Sequence, residues 1–544
     1  MNAGDLVARF LKAIEVDTVF AIISVHNIPI MDGIAREGGI KVVTTRGEMG
    51  GAHMADGFAR ISGKLGVLIS STGPGAANAV SGLLEASYSC TPVLHITGQV
   101  PTKYLGRDTG ATHGVRDQQG MLASVCKAAY RVNTPEETWG ILTRAAQEAM
   151  AAPAGPVSVE IPIDVQKALC QEPSPLQVDL KPVPPMPPAP EPLARLTEMV
   201  ASAKRPMFWV GSGARDCGDL LEQFLDMGFG MVSSWAARGI VKESHPMNLG
   251  AMNGSGCKDV ENFYQDVDLM VVLGSKMRGQ ETVDQTIQLP ARRVQVDIDP
   301  AANGRTYTSE LFVQGDCREV LKALLEKIGS EPGVDEDFPA AFTRMKQQAR
   351  ENYKKTLGPY RDFAEQLRSA TPEDSLWVRD ITVANSTWGH RLYEIYHPRT
   401  AIHPVGGGIG QGLPLAIGAA FAANGRDTVL LSGDAGFMMN VSELWTAQQE
   451  GVDLLMIIMN DSGYGVIKHM QDAGFGGRRV YGDLDSPDFE QLARCVGAAY
   501  VKVTDKNGLA SAVRDILPRG GLRMVEVDMG VIGEAPPYYP FLKE

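Results

Sequence analysis

Short apolar runs rich in β-branched residues recur along this chain, and longer segments of helical period separate them. That alternation constrains the fold more than any other feature. Runs at 18–23, 41–44, 66–70, 92–96 and 157–161 read as buried strands of a parallel sheet, with the segments between them as helices on both faces. The pattern returns at 206–210, 269–273 and 293–298, and again at 428–431 and 454–459. It predicts an α/β chain of three doubly wound parallel-sheet domains, at 1–170, 193–330 and 375–544. Residues 171–192 hold nine prolines and read as a stiff, extended linker. Residues 331–374 read as a charged helical connector with 345–355 as a solvated face. A length of 544 residues agrees with three domains at roughly 150 residues each. No sequence repeat relates the first domain to the third.

Composition excludes several classes of partner. A net charge of −13 gives no electrostatic reason to expect nucleic acid or an anionic membrane. No apolar run reaches the ~18 residues of a membrane span. Hydrophobic residues at 44% and charged residues at 21% fit an ordinary soluble globular protein. The first residues lack a basic stretch followed by an apolar one, so no secretion signal is expected. Seven cysteines without a Cys-x-x-Cys pair read as reduced thiols of a cytoplasmic protein.

The run at 428–431 leads into Gly433-Asp434-Ala435, a helix is expected over 442–451, and the run at 454–459 ends in Asn460-Asp461. This strand–helix–strand spacing sets Asp434 and Asp461 at the carboxyl ends of adjacent strands, where open α/β sheets bind ligands. Two carboxylates suit Mg²⁺, which keeps oxygen ligands and shares them with a diphosphate. An ordinary crossover with acidic loop ends would carry the same residues. Gly-Asp-Ala, twenty-four residues, then Asn-Asp resembles the diphosphate-binding Gly-Asp-Gly…Asn-Asn motif of thiamine-diphosphate enzymes. Ala435 replaces the second glycine and Asp461 the second asparagine, which makes the site one charge more negative. The resemblance implies that Asp434, Asp461 and the carbonyl of Gly463 hold Mg²⁺. Gly433, Ala435, Tyr464 and Gly465 would lie along the cofactor.

Arg46-Gly-Glu-Met-Gly-Gly-Ala-His-Met-Ala-Asp-Gly-Phe-Ala-Arg60 is similar to the stretch that carries this family's catalytic glutamate, which falls on Glu48. A carboxyl group there would protonate the aminopyrimidine N1′, so that the 4′-nitrogen can take the thiazolium C2 proton. Without the partner motif, Glu48 reads as a helix-start charge favoured by the dipole. The turn 71–78 resembles the family's Gly-Pro-Gly turn, with Asn78 beside the cofactor or simply in a structural turn. The glycine-rich stretch 403–414 reads as a dinucleotide loop, but looks more like the family segment that grips the aminopyrimidine. In that segment the Gly407 carbonyl accepts the 4′-amino group, and Ile409 is the wedge that bends the cofactor.

His26, Asn27, His113, Gln411 and Met470 fall where relatives place substrate-facing residues, and lone histidines are as often structural. Val210-Gly-Ser-Gly213 and Val296-Asp-Ile-Asp-Pro300 read as strand-to-helix turns or a weak dinucleotide signal. The resemblance allows FAD or ADP in the central domain, near Arg278, Asp297 and Asp316. It also implies that Glu48 and Asp434 serve one site from different subunits, in an obligatory homodimer that can pair into a homotetramer.

The likeness covers the whole chain and is nearest the group of acetolactate synthase, pyruvate oxidase and benzoylformate decarboxylase. It departs where acetohydroxyacid synthases carry Phe-Gln-Glu, since 113–118 stands in that place, and where they carry a tryptophan, here Met470. The expected activity is decarboxylation or carboligation of a 2-oxo acid. Cleavage of a C–C bond in a 2-hydroxy ketone or 2-hydroxyacyl-CoA is the alternative. A catalytically silent homologue is a third reading, against which Glu48, Asp434 and Asp461 speak.

Overall fold

The computed structural model describes residues 1–173, 178, 180, 184–329 and 333–538. The first sheet contains β1 (Thr18–Ala21), β2 (Lys41–Thr44), β3 (Gly66–Ser70), β4 (Val93–Gln99), β5 (Ala128–Arg131) and β6 (Pro156–Pro162), in the order β2-β1-β3-β4-β6-β5. The second contains β7 (Pro206–Val210), β8 (Gly230–Ser233), β9 (Leu269–Leu273), β10 (Arg293–Asp297) and β11 (Leu311–Gln314), in the order β11-β10-β9-β7-β8. The third contains β12 (Leu376–Arg379), β13 (Ala401–Ile402), β14 (Thr428–Gly433), β15 (Leu454–Asn460), β16 (Ala499–Val503) and β17 (Leu522–Asp528), in the order β13-β12-β14-β15-β17-β16. Their ladders run parallel. The first and third sheets therefore share one strand order although no sequence repeat links them. In both, the order turns back at the first strand, between β1 and β3 and between β12 and β14, and that opens a crevice at the carboxyl edge.

Every fully apolar strand predicted from the sequence is present, because a strand buried on both faces must be apolar at successive positions. The sequence reading passed over β5, β8, β11, β12, β13, β16 and β17. Several of these are edge strands and half-exposed, such as Ala-Ala-Tyr-Arg at 128–131, so their apolar runs are broken.

The chain divides into two compact units. One comprises 1–183, 404–428 and 437–454; the other comprises 184–403, 429–436 and 455–544. Segments expected inside the 375–544 domain thus pack with the first sheet. The core of the first unit joins Val19, Val67, Ile69, Leu94, Ile96 and Val159. Against this sheet the Glu48–Ser62 helix crosses the Gly412–Phe421 helix at two glycines. A Cβ on Gly57 would stand 2.2 Å from the Leu415 carbonyl oxygen, and one on Gly418 would stand 2.0 Å from that of Met54. Neither position tolerates a side chain without backbone movement.

Two expectations are corrected. Residues Pro190 to Pro192, assigned to the linker, open a helix, Pro190–Ser202, because proline suits a first helical turn. The rest of the linker lies partly outside the described residues, as does the start of the connector. The 345–355 stretch is not a solvated face: in the Phe338–Lys355 helix Lys346, Ala349 and Tyr353 are buried. The Lys346 ammonium donates to the carbonyls of Glu243 and His245 at 2.8 Å each, and burial pushes it down to about 8.

Candidate functional site

In the first unit, four segments meet at the carboxyl edge of the first sheet. The chain leaving β2 turns at Thr45–Gly47 and enters the Glu48–Ser62 helix, so Glu48 is its first residue and is 8% exposed. Asn78 Nδ2 donates to Glu48 Oε2 at 3.2 Å, which brings these two sequence candidates together. Gly75 lies close under the same carboxylate; a Cβ there would come within 2.7 Å of Oε1. Gly73, at φ +60°, lets the His113 backbone cross the turn, since its Cβ would stand 2.1 Å from the His113 carbonyl.

His26 and His113 come together edge to face, with ring centroids 5.2 Å apart. His26 Nδ1 is buried without a partner, and burial together with the nearby His113 holds this imidazole below its ordinary range. His113 is exposed. Asn27 does something other than face a substrate. It is fully buried, its Nδ2 donates to the carbonyls of Ile22 and Ser70, and its Oδ1 accepts from the Ser24 amide. It ties the ends of β1 and β3 together.

The segment 404–411 belongs to the same unit. Gly407 takes φ +78°, a left-handed conformation that glycine adopts at no steric cost. Ile409 is 36% exposed. Gln411 is buried, and its Oε1 has no partner.

Two buried carboxylates that the sequence reading did not single out hold these turns. Glu85 accepts from the amides of Val405 at 2.6 Å and Gly406 at 2.9 Å, and pairs with Arg60 at 2.7 Å. Glu443 accepts from the amides of Arg46 and Gly47 and from the Thr446 hydroxyl. The two main-chain partners of Glu443, Arg46 and Gly47, lie almost 400 positions away, and no local spacing announces such a pairing.

In the second unit, Asp434 stands where β14 ends and the Asp434–Met439 helix begins, and is 1% exposed. Its Oδ2 accepts from the Gly463 amide at 3.1 Å and from the Ser486 hydroxyl. Its Oδ1 is buried with no hydrogen-bond partner. Asp461, at the end of β15, is pushed up to about 7 by burial and then by the neighbouring Asp434 carboxylate. Its carboxylate lies over Gly465, where a Cβ would meet Oδ2 at 2.0 Å. The β14–β15 register, Gly433 opposite Met459, is what delivers both acids to one edge. Two adjoining acids, one with an orphaned oxygen and the other holding its proton towards neutrality, are a poor arrangement alone and a good one around a divalent cation. The donor set is all oxygen, as Mg²⁺ requires.

Among the described residues there is no cluster of three or more His, Cys, Asp or Glu side chains that could hold a metal. The site therefore supplies two carboxylates, and diphosphate oxygens and water would complete the shell. Asn460 is turned aside, with Nδ2 donating to Glu526 at 2.8 Å. Tyr464 and Ala435 lie beside this pair along the chain, Ala435 buried and Tyr464 half-buried, while Met470 is 43% exposed on the Gly465–Gly474 helix.

In the central sheet, Asp316 is committed to capping the Cys317–Ile328 helix through the amides of Arg318 and Glu319. Arg278 lies 3.4 Å from Glu281, and Asp297 accepts from the Asp299 amide. The Gly211 and Gly213 turn packs directly on Gly274, in the manner of a plain strand-to-helix connection.

Three family models match successive segments of the chain. Residues 1–121 match the family description "Thiamine pyrophosphate enzyme, N-terminal TPP binding domain". Residues 193–324 match the central domain of that family, and 382–527 its C-terminal TPP binding domain. The chain is 30% identical over 531 residues to "Probable 2-ketoarginine decarboxylase AruI" of Pseudomonas aeruginosa, covering 97% of this chain and 94% of that protein. It is 28% identical to the acetolactate synthase large subunit of Corynebacterium glutamicum, over 100% of this chain and 88% of that one. It is 29% identical to the acetolactate synthase isozyme 2 large subunit of Escherichia coli, over 99% and 98% of the two chains.

Proposed function

The chain belongs to the thiamine pyrophosphate enzyme family, and from that premise we propose that it decarboxylates a 2-oxo acid, releasing the product as an aldehyde or joining it to an acceptor. The observation that most supports this reading is the buried, partnerless Asp434 oxygen beside Asp461 at the ends of β14 and β15.

When bound, thiamine diphosphate would supply a nucleophilic thiazolium C2 and a cationic ring that serves as the electron sink for loss of CO₂. This chain's residues do the rest. Asp434, Asp461 and the Gly463 carbonyl hold Mg²⁺ against the diphosphate. Glu48, oriented by Asn78, holds a proton at N1′ of the aminopyrimidine. The Gly407 carbonyl accepts from the 4′-amino group and Ile409 enforces the bend. His26 and His113 face the substrate as a pair of imidazoles, the buried one kept neutral by desolvation. Magnesium, a homodimer with Glu48 and Asp434 from different copies, and its pairing into a tetramer are part of the proposal. A reducing cytoplasm is also part of it, supported by seven cysteines that are all free thiols. With Asp316 spent on its helix cap, FAD or ADP in the central domain would be met by Asp297 and Arg278; flavin absorbance of the purified protein decides that point.

Glu48→Gln should bind thiamine diphosphate as the parent does and lose most of its deuterium exchange at the cofactor C2, by at least roughly a hundredfold. Exchange at the parent rate would remove Glu48 from the chemistry. A panel from pyruvate to 2-ketoarginine, scored for CO₂, separates this reading from C–C cleavage, which would instead release aldehyde from an acyloin or hydroxyacyl-CoA without CO₂.

A further inference from the structure

Two of the buried carboxylates of the first unit, Glu443 and Glu85, share one pattern. Glu443 is 1% exposed and receives the Gly47 amide at 2.9 Å, the Arg46 amide at 3.1 Å and the Thr446 hydroxyl at 2.7 Å. Arg46 and Gly47 are the two residues immediately before Glu48. Glu85 is also 1% exposed and receives the amides of Val405 and Gly406, the two residues before Gly407. Each acid thus grips two successive main-chain donors of a turn, and the next residue of that turn is one the proposed function aims at the cofactor ring.

The fit is close. Gly50 has no room for a Cβ, which would stand 2.2 Å from Glu443 Oε1. Glu85 is balanced by Arg60, itself paired with Asp56 at 2.5 Å. The Arg46 guanidinium donates to the Thr44 carbonyl and to Gln449, and reaches Glu443 only as a nearby charge. The main-chain amides at the helix start therefore carry much of the burden of satisfying Glu443.

We infer that Glu443 and Glu85 are positioning residues: Glu443 fixes the turn that aims Glu48, and Glu85 fixes the turn that presents Gly407 and Ile409. The inference rests on the proposed function for what those turns do, and on the hydrogen bonds alone for what holds them. Neither acid touches the cofactor. Both act by keeping a donor or acceptor within the narrow range in which ring protonation is productive, where a displacement of ~1 Å costs up to about a hundredfold.

The test compares the full-length parent, Glu443→Gln and Glu48→Gln. Glu443→Gln keeps the size of the side chain and loses one acceptor oxygen. In the cofactor-free protein, amide hydrogen exchange over residues 45–48 should quicken about tenfold or more in Glu443→Gln and stay at the parent rate in Glu48→Gln. With cofactor and Mg²⁺, Glu443→Gln should saturate as the parent does. Its C2 exchange and kcat should fall about tenfold, with KM for the 2-oxo acid within about twofold. Unchanged amide protection, or parent C2 exchange in Glu443→Gln, overturns the inference. So does a loss of cofactor saturation equal to the loss of rate, which marks a merely structural role. Parent C2 exchange in Glu48→Gln would defeat the functional reading instead, while the amide protection would still report on the clamp. If Glu443→Gln does not fold, Thr446→Val frees one side of the same carboxylate, and about a threefold loss of C2 exchange at full saturation is expected. No change in that variant would equally overturn the role of Glu443. Glu85→Gln should produce the same signature with the quickened amides at 405–406, and unchanged protection there would remove Glu85 from the pair.

Discussion

His53 shows how one side chain can govern behaviour far from the chemistry. It is fully buried in the Glu48–Ser62 helix, neither ring nitrogen has a partner, and burial pushes it down to about 4. His95 is likewise pushed down to about 3, its ring nitrogens engaged by Ser70 and Ser158. In the unfolded chain both titrate near 6.5. Between that value and their folded values the unfolded state binds more protons, so stability falls as pH drops from about 6.5 towards 4. A shift of about 2.5 units corresponds to about 3 kcal/mol for His53 at the acid end. Urea unfolding at pH 7 and pH 4.5 should therefore show a steep acid loss that His53→Gln makes shallower by about one proton. An unchanged slope would mean that His53 is not buried neutral. At this scale the sequence singles out residues that lie in motifs, namely Glu48, Asp434, Asp461, Gly407 and Ile409, on which the proposed function rests. It was uninformative for Glu443, Glu85 and Ser486, whose roles depend on partners dozens to hundreds of positions away. Asn27 falls at a position where relatives place substrate-facing residues, but its side-chain amide is spent on main-chain carbonyls.

At the scale of elements, most strands buried on both faces were legible because apolar continuity is what such a position demands, although the interior strands β12 and β17, interrupted by Arg379, Arg523 and Glu526, were not. Most edge strands were not, since solvent on one side breaks the run, and β16 with its Lys502 is an instance; the edge strand β2 is the exception, kept legible by Val42 and Val43. The crossing of the Glu48–Ser62 and Gly412–Phe421 helices shows a second limit. Both segments are rich in small residues, but only the structure shows that Gly57 and Gly418 are contact points. On an exposed helix Gly→Ala gains up to about 1 kcal/mol from propensity. Here the added methyl group meets carbonyl oxygens at about 2 Å, and overpacking against backbone costs about 1–3 kcal/mol or more. The second effect wins. Gly418→Ala should lower the unfolding midpoint in urea, and a raised midpoint would show that the two helices can separate without cost.

At the scale of the whole molecule, the duplicated strand order of the first and third sheets lies beyond sequence repeats and emerges only from pairing. The two units carry complementary chemistry. One offers a carboxyl group, a left-handed glycine carbonyl and an exposed isoleucine; the other offers two acids at adjoining strand ends. The claim at the centre of the proposed function is that Glu48 and Asp434 of different copies serve one cofactor. It is tested most directly by coexpressing Glu48→Gln with Asp434→Ala and measuring C2 exchange of thiamine diphosphate bound in the presence of Mg²⁺. Each variant alone should give no fast-exchanging cofactor. Random pairing of the two should restore parent exchange at about a quarter of all sites, since half the dimers are mixed and one site in each is intact. A mixture as silent as its components, with mixed dimers demonstrably present, would contradict the proposed arrangement.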